Sequence, residues 1–323
     1  MQRVIDDLGF VAFVWGEERD AMGWARPACA GAMCEAGILR PPGGPFAMYR
    51  MQERCVDGSP AGSRLQHLAV QWHQAGLLPA WRNELFDIYS PGHHAPRFAL
   101  ERVAARHLGL WTEAVHMNVV LRDGTAMWLA RRAAHKDTDP GMLDNLVAGG
   151  VAQGESAWQT LQRESWEEAG IRLDIVANAG EGIVRDAAAT GETAQRLHPA
   201  PKPLRSIQIL ALEGSATQPY LRRERLYAFE LEVDARFTPV NKDGEVSDHV
   251  LLSRAELEVA IAKGLLTKDA ERVARLWRAG SGREAGQGID RGSDQRVPRE
   301  SGQAVDQEIV QGSSPGPQRG THP

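Results

Sequence analysis

At 323 residues with 42% hydrophobic side chains, the chain can hold two domains with packed cores. A formal net charge of -5 and a pI near 6.1 exclude the basic footprint of a nucleic-acid binder, although free nucleotides remain open as substrates. No apolar run approaches the roughly 18 residues of a membrane span, and MQRVIDDLGF lacks a basic segment followed by an apolar one; a soluble, cytoplasmic protein without a membrane partner is expected.

Residues 1 to 112 read as a small α+β accessory domain suited to setting substrate specificity. FVAFVWG at 10 to 16 is strand-like, GEERDA is a charged turn, and GWARP makes a second short strand. Cys29, Cys34 and Cys55 form no zinc spacing with nearby histidines, and an odd count argues against a disulfide framework. After a Pro/Gly stretch at 41 to 45, the Leu/Val/Ala spacing predicts amphipathic helices over Arg64 to Ala75 and Arg97 to Leu108. His67 and His73, six apart, do not share a helix face, and His93 and His94 sit in a Pro/Gly loop; all four read as structural or solvated. Trp72, Trp81 and Trp111 offer rings for stacking on a heterocycle, a role that competes with ordinary core packing.

From about His116 the pattern changes, and 113 to 279 reads as a second domain. MNVVLRD and TAMWLARRA make a hairpin around Gly124, because DG between apolar runs is a strong turn signal. LDNLVAGG follows as one strand, RSIQILAL, RLYAFELEV and HVLLS add others, and helices at about 254 to 263 and 267 to 278 close the domain. The fold class is α/β (α+β), with a mixed sheet sandwiched between helices. Beyond Trp277 no aromatic residue occurs, and the Gly/Gln/Arg/Ser-rich stretch 280 to 323 is expected to be a disordered tail.

GGVAQGESAWQTLQRESWEEAGI at 149 to 171 carries the chemistry. Ser156 with Gln159 is a capping-box pattern and Gly170 tolerates a left-handed stop, so a helix is predicted from about Ala157 to about Ala169. Glu164, Glu167 and Glu168 then share an arc of about 100°, with Trp158, Leu161, Ser165 and Ala169 on an adjoining, inward side. Crowded carboxylates repel unless a cation sits among them, and hard divalent ions such as Mg²⁺ take oxygen ligands together with substrate phosphate oxygens. Arg163 lies outside that arc, where it can tie down Glu155 or a loop carbonyl. A solvated acidic face is the bland alternative, but Gly149, Glu155, Arg163 and Gly170 in fixed register argue against it.

This stretch resembles the box of the Nudix hydrolase family, G-x5-E-x7-R-E-U-x-E-E-x-G-U with U apolar, departing only at Ser165. A helical hydroxyl can bond back to the carbonyl four residues earlier, here Leu161, so a buried serine is expected to be tolerated. The resemblance implies a Nudix fold and a Mg²⁺-dependent hydrolase, with Mn²⁺ as a substitute. Glu164, Glu167 and Glu168 are the implied ligands, Gly149 and Gly150 the close approach to substrate, and Glu155, Gly149 and Gly170 the box framework, with Arg163 bracing it.

Glu245, in the loop of NKDGEVSDHVLLS, is similar in placement to an extra metal-binding or basic glutamate of many Nudix enzymes, so the base is Glu167 or Glu245. Arg131, Arg132 and Lys136 precede the box strand within plausible reach of a diphosphate. The string RR-x3-K-x-T-x-PG-x-LDN-x-VAGG, with ALERVAARHLG, RLYAFELEV and TPVNKDGEV, resembles a Nudix branch with an N-terminal accessory domain related to thiamine pyrophosphokinase. Asp139 departs from the Trp frequent there. That likeness implies hydrolysis of thiamine diphosphate, or of its oxidised or damaged analogues, to the monophosphate. Specificity is expected from the accessory domain and the loops at 133 to 142 and 180 to 204.

Three rival readings stand beside it. Oxidised nucleoside diphosphates of the 8-oxo-dGDP type would suit the same metal site. A non-catalytic binding module is disfavoured because all four box glutamates remain. Isoprenoid diphosphate isomerisation needs a cysteine in the strand that here reads LVAGG. No residue pattern specifies an oligomeric state.

Overall fold

The computed structural model describes residues 5, 7–43, 48–136, 138–175, 182–186, 200–215 and 218–279. The expected disordered tail at 280 to 323, and 187–199 of the expected specificity loop, lie outside the described residues.

The chain begins with β1 (Val11–Trp15), β2 (Gly23–Ala25), α1 (Pro27–Glu35), β3 (Leu39–Arg40) and β4 (Tyr49–Met51). These four strands form a sheet in the order β2-β1-β4-β3, with β4 parallel to β1. The amphipathic helix α2 (Ala61–Gln74) buries Leu65, Ala69 and Trp72, the helical spacing seen in the sequence. Together with Phe13, Met22, Met33, Met51, Phe86 and Leu100 they build one hydrophobic core.

One expectation here is corrected. The apolar spacing of 97 to 108 suggested a single helix, but Phe98–Glu101 forms strand β6 antiparallel to β5 (Leu85–Ile88), and only Arg102–His107 is helical, as α3. Pairing with a distant segment overrides the local helical pattern, because the backbone groups of 98 to 101 find their partners in β5.

The second part contains β7 (Trp111–Leu121), β8 (Ala126–Arg132), β9 (Leu143–Asn145), β10 (Val147–Gly150) and α4 (Ala157–Ala169). Next come β11 (Ile171–Ile175), β12 (Gly182–Asp186), β13 (Lys202–Gly214), β14 (Pro219–Val233) and β15 (Val246–Ser253), then α5 (Arg254–Ala262) and α6 (Lys268–Ala279). The main sheet runs β13-β14-β7-β8-β15, with β10 on β7 and β9 on β8. It is mixed. β7 and β8 are antiparallel, whereas Thr112 meets Arg223 and Arg122 meets Val233, so β7 and β14 advance together.

Alternation along β7 divides the core between the sheet's faces. Val115, Met117 and Val119 pack with Leu161 and Ala169 of α4, while Val120 joins Met127, Leu129, Leu257, Ile261, Ala274 and Trp277 on the side of α5 and α6. The sheet therefore lies between α4 and the α5/α6 pair, as expected. LDNLVAGG, expected as one strand, breaks at the buried Leu146 and changes partner, from β8 to β7.

Two contact units divide the chain. Among the described residues, one gathers those of Met1–Thr112 with Gln208–Glu224; the other holds those of Glu113–Ile207 and of 225–279. Among the described residues no helix is long and apolar enough to cross a membrane.

Candidate functional site

α4 is set by its ends. The Ser156 side chain accepts from the Gln159 backbone N–H at 3.2 Å, Gln159 Oε1 accepts from the Ser156 N–H at 2.8 Å, and Gly170 stops the helix at φ 67°. Gly149 on β10 then faces the helix so closely that a Cβ there would lie 2.0 Å from Glu164 Oε1 and 2.5 Å from its Cγ. Only a residue without a side chain leaves room for that carboxylate.

The glutamates divide by environment. Glu164 and Glu168 are 8% and 7% exposed, and Glu168 Oε2 accepts the Ala148 N–H at 2.8 Å. Arg163 braces the surroundings: Nε and Nη2 donate to the two oxygens of Glu155 at 2.9 and 3.0 Å. Its Nη1 donates to Glu164 Oε1 at 2.7 Å and to Glu167 Oε2 at 3.2 Å. Thr160 Oγ1 adds a bond to Glu155 at 2.8 Å.

Proton affinities follow from this arrangement. Burial pushes the Glu164 carboxyl up to about 7 against the pull of Arg163, with Glu167 and Glu245 adding repulsion. Burial, then Glu164, raises Glu168 well above the usual carboxylate range. Burial opposes ionisation of Glu155 too, but the bonds from Arg163 and Thr160 outweigh it and hold its carboxyl low. Glu155 in turn raises Arg163.

Of the two neighbouring buried carboxylates only Glu164 meets the Arg163 guanidinium, and Glu168 accepts a backbone N–H instead, so the pair is short of positive charge. Among the described residues no three His, Cys, Asp or Glu side chains are arranged around a common metal position; oxygens of Glu164 and Glu167 point to Arg163 instead. The donor set is nonetheless all carboxylate oxygen, and burial raises the proton affinity of Glu164 and Glu168 within it, which fits a hard divalent cation.

Glu245 approaches from a later loop. It raises the Glu164 pKa, forms an ion pair with Lys136, and its carbonyl accepts the Ala133 N–H at 3.0 Å. That loop is tied to the end of α4: Val240 N–H donates to Ala169 O at 3.0 Å, Lys242 N–H to Glu167 O at 2.8 Å, and His249 Nε2 bonds Glu168 O at 2.9 Å. These are carbonyls left without partners inside the helix. Sequence reasoning missed His249, which no local pattern marks.

Arg132 is a correction. Expected at a diphosphate, its guanidinium is committed to the Thr138 carbonyl at 3.0 and 2.9 Å, the Thr138 hydroxyl at 3.1 Å and Asp144 Oδ2 at 2.9 Å. It pins the 133 to 142 loop, in which Asp139 holds φ 48°. Arg131 donates Nη1 to Gly141 O at 3.0 Å on an exposed edge. Asp144, also missed, anchors a buried network: it accepts from Thr267 Oγ1 at 3.2 Å and adds to the repulsion on Glu168, and His116 bonds the neighbouring Asn145 at 2.8 Å. A second correction concerns Ser165, whose buried Oγ has no hydrogen-bond partner, so the expected bond to Leu161 does not form.

The tryptophans are accounted for within the first unit. Trp72 lies in its core, Trp81 stacks on His73 at 4.8 Å, and the Arg223 guanidinium covers the Trp111 ring at 4.5 Å. His67 and His73 bond the Ser63 and Leu78 carbonyls and form no pair. The three cysteines are free thiols.

The model of the NUDIX domain matches residues 112–276. This chain belongs to the Nudix family. Among relatives, it is 36% identical over 191 residues to Nudix hydrolase 20, chloroplastic, of Arabidopsis thaliana, covering 58% of this chain and 44% of that protein. Nudix hydrolase 24, chloroplastic, of the same plant is 33% identical over 199 residues, covering 60% and 47%. The chain thus spans about half the length of the plant proteins it matches. A solved structure, DR0079 from Deinococcus radiodurans, aligns at 24% identity and TM-score 0.42, covering 60% of this chain and all of its own (100%). The Nudix box is α4 with the glycine strand before it, and its four glutamates and arginine are all present.

Proposed function

We propose that this Nudix protein is a divalent-cation-dependent pyrophosphohydrolase that cleaves a small-molecule diphosphate, thiamine diphosphate or its oxidised analogues, to the monophosphate and phosphate. The observation that carries the reading is the buried Glu164/Glu168 pair, of which only Glu164 meets Arg163 and lies against Gly149. The substrate rests on the motif string around RR-x3-K and LDN-x-VAGG and on its likeness to the thiamine-related branch.

Glu164, Glu167 and Glu168 would hold Mg²⁺, or Mn²⁺ in its place. Bound there, the cation supplies positive charge to the diphosphate oxygens as negative charge develops on them. Arg163 fixes Glu155 and restrains Glu164 and Glu167, so the carboxylates are held before substrate arrives. Glu167 or Glu245 takes the proton from the attacking water; Glu245 does so beside Lys136, with which it forms an ion pair. The water oxygen bonds to phosphorus, the bridging P–O bond breaks, and the proton is returned to the departing phosphate. Arg131, exposed beside the loop it braces, contributes N–H donors to the substrate phosphates.

Phosphate release from thiamine diphosphate, oxothiamine diphosphate and 8-oxo-dGDP, with and without Mg²⁺, tests the reading. A thiamine compound should be turned over with the highest kcat/KM. Preference for 8-oxo-dGDP would move the substrate to oxidised nucleotides, and no Mg²⁺-dependent release from any would overturn the activity. Glu168→Gln should lower the rate by about 10²-fold or more while the melting temperature without metal holds, because the neutral amide relieves a buried charge and can still accept the Ala148 N–H.

A further inference from the structure

The first unit contains a cavity of about 600 Å³ whose lining residues all fall between Trp15 and Ala99. That is the size of pockets that enclose small organic ligands. Its wall is part aromatic: Trp15 and Phe98, both half-buried, stack with centroids 5.8 Å apart. Its polar groups include Arg97, Arg54, His67 and Glu53.

Arg97 makes side-chain bonds that fix its place in the wall. Its Cζ lies 5.5 Å from the Trp15 ring centroid, Nε donates to the buried Ser90 hydroxyl at 2.8 Å, and Nη2 donates to Glu18 at 2.6 Å. Ser90 in turn donates to the same Glu18 oxygen at 3.0 Å. Two of the three guanidinium nitrogens are therefore engaged, one of them in an ion pair with Glu18, and the plane is positioned before any ligand arrives, which lowers the entropic cost of binding. Arg54 is fixed similarly through Nη1 on the Gly58 carbonyl at 2.8 Å. Guanidinium groups only donate, so the ligand group that meets them must be an acceptor, and their fork geometry suits a phosphate or carboxylate.

We propose that this cavity binds a planar aromatic molecule of roughly mononucleotide size that carries an oxyanion, its ring against Trp15 and Phe98 and its anion on Arg97 and Arg54. The site belongs to the accessory unit and requires none of the box glutamates.

Saturation-transfer NMR on the full chain, in EDTA with 1-naphthyl phosphate as probe, tests it. Binding should saturate with a dissociation constant at or below about 1 mM, and 1-naphthol and inorganic phosphate should each bind at least about tenfold more weakly. Arg97→Gln should weaken the probe about tenfold or more, and so should Arg54→Gln, which alters an exposed rim residue and spares the fold. Glu167→Gln should bind as the unaltered chain does. The proposal is overturned if the probe does not saturate by about 10 mM, if naphthol binds equally well, if Arg54→Gln has no effect, or if Glu167→Gln abolishes binding.

Discussion

Gly149 and Glu164 show how one missing side chain sets the chemistry of another. The glycine's φ is unremarkable, so what matters is space: a methyl group there would overlap three atoms of the Glu164 side chain. Gly149→Ala should therefore drive Glu164 from its buried position, costing about 1–3 kcal/mol of stability and most of the Mg²⁺-dependent activity. Urea unfolding and a Mg²⁺ titration of the rate read the two effects separately; a variant with unaltered Mg²⁺ dependence would remove Glu164 from the site. Ser165 and Arg132 teach the converse. Both residue types were assigned partners from local chemistry, yet the serine hydroxyl is buried alone and the arginine is committed to Thr138 and Asp144. Side-chain range limits what a spacing rule can foresee: an arginine within reach of a phosphate is equally within reach of its own loop.

α4 was legible because its determinants are local. The cap at Ser156, the stop at Gly170 and the burial of Leu161 all lie within the helix or one residue beyond it. Its C-terminal attachment was not legible, since Val240, Lys242 and His249 come from a loop and strand some seventy to eighty residues later. His249→Ala should leave the Glu168 carbonyl short of one bond, lowering stability by about 1 kcal/mol and raising the Mg²⁺ concentration needed for half-maximal rate. An unchanged Mg²⁺ requirement would show that the tie does not position the carboxylates. α3 carries a different device. His107 is buried, bonds the Val103 carbonyl at 2.9 Å and stacks on Tyr220 at 4.4 Å, and burial lowers its pKa. The sign follows: the folded state resists the proton, so His107 stabilises fully above its unfolded pKa of about 6.5 and that contribution is lost as pH falls through the lower folded value. Melting temperatures at pH 7.5 and 5.5 should diverge less in His107→Phe, which keeps the ring and removes the titration; equal slopes would discount the effect.

The chain enters its first contact unit twice, through Met1–Thr112 and again through Gln208–Glu224. The second entry brings Arg223, whose guanidinium lies 4.4 Å from the Trp24 ring and 4.5 Å from the Trp111 ring and donates to the Met22 and Gly109 carbonyls at 2.9 and 3.1 Å. Burial alone depresses its pKa to about 9, so it stays charged at neutral pH, held by rings and carbonyls. Arg223→Met fills similar volume but leaves those carbonyls unpaired; unfolding in urea should show a loss of about 2–4 kcal/mol. No loss would mean that the indoles and carbonyls are satisfied without it. RLYAFELEV was readable as a strand from its apolar alternation, but nothing in its own pattern announced that the residues just before it pack against Trp24 and Trp111.

Residue order alone was enough to establish the box helix with both its ends, the hairpin around Gly124, the mixed sheet between helices and the family. Each depends on signals a few residues apart: a cap, a turn dipeptide, a periodicity of apolar side chains. Folding in three dimensions decided the rest: the strand at Phe98–Glu101, the change of partner at Leu146, the loop bound to the end of α4, and the cavity beside Trp15. These arise where backbone hydrogen bonds and buried charges are satisfied by groups far away in the chain, and a local pattern carries no record of which distant group that will be.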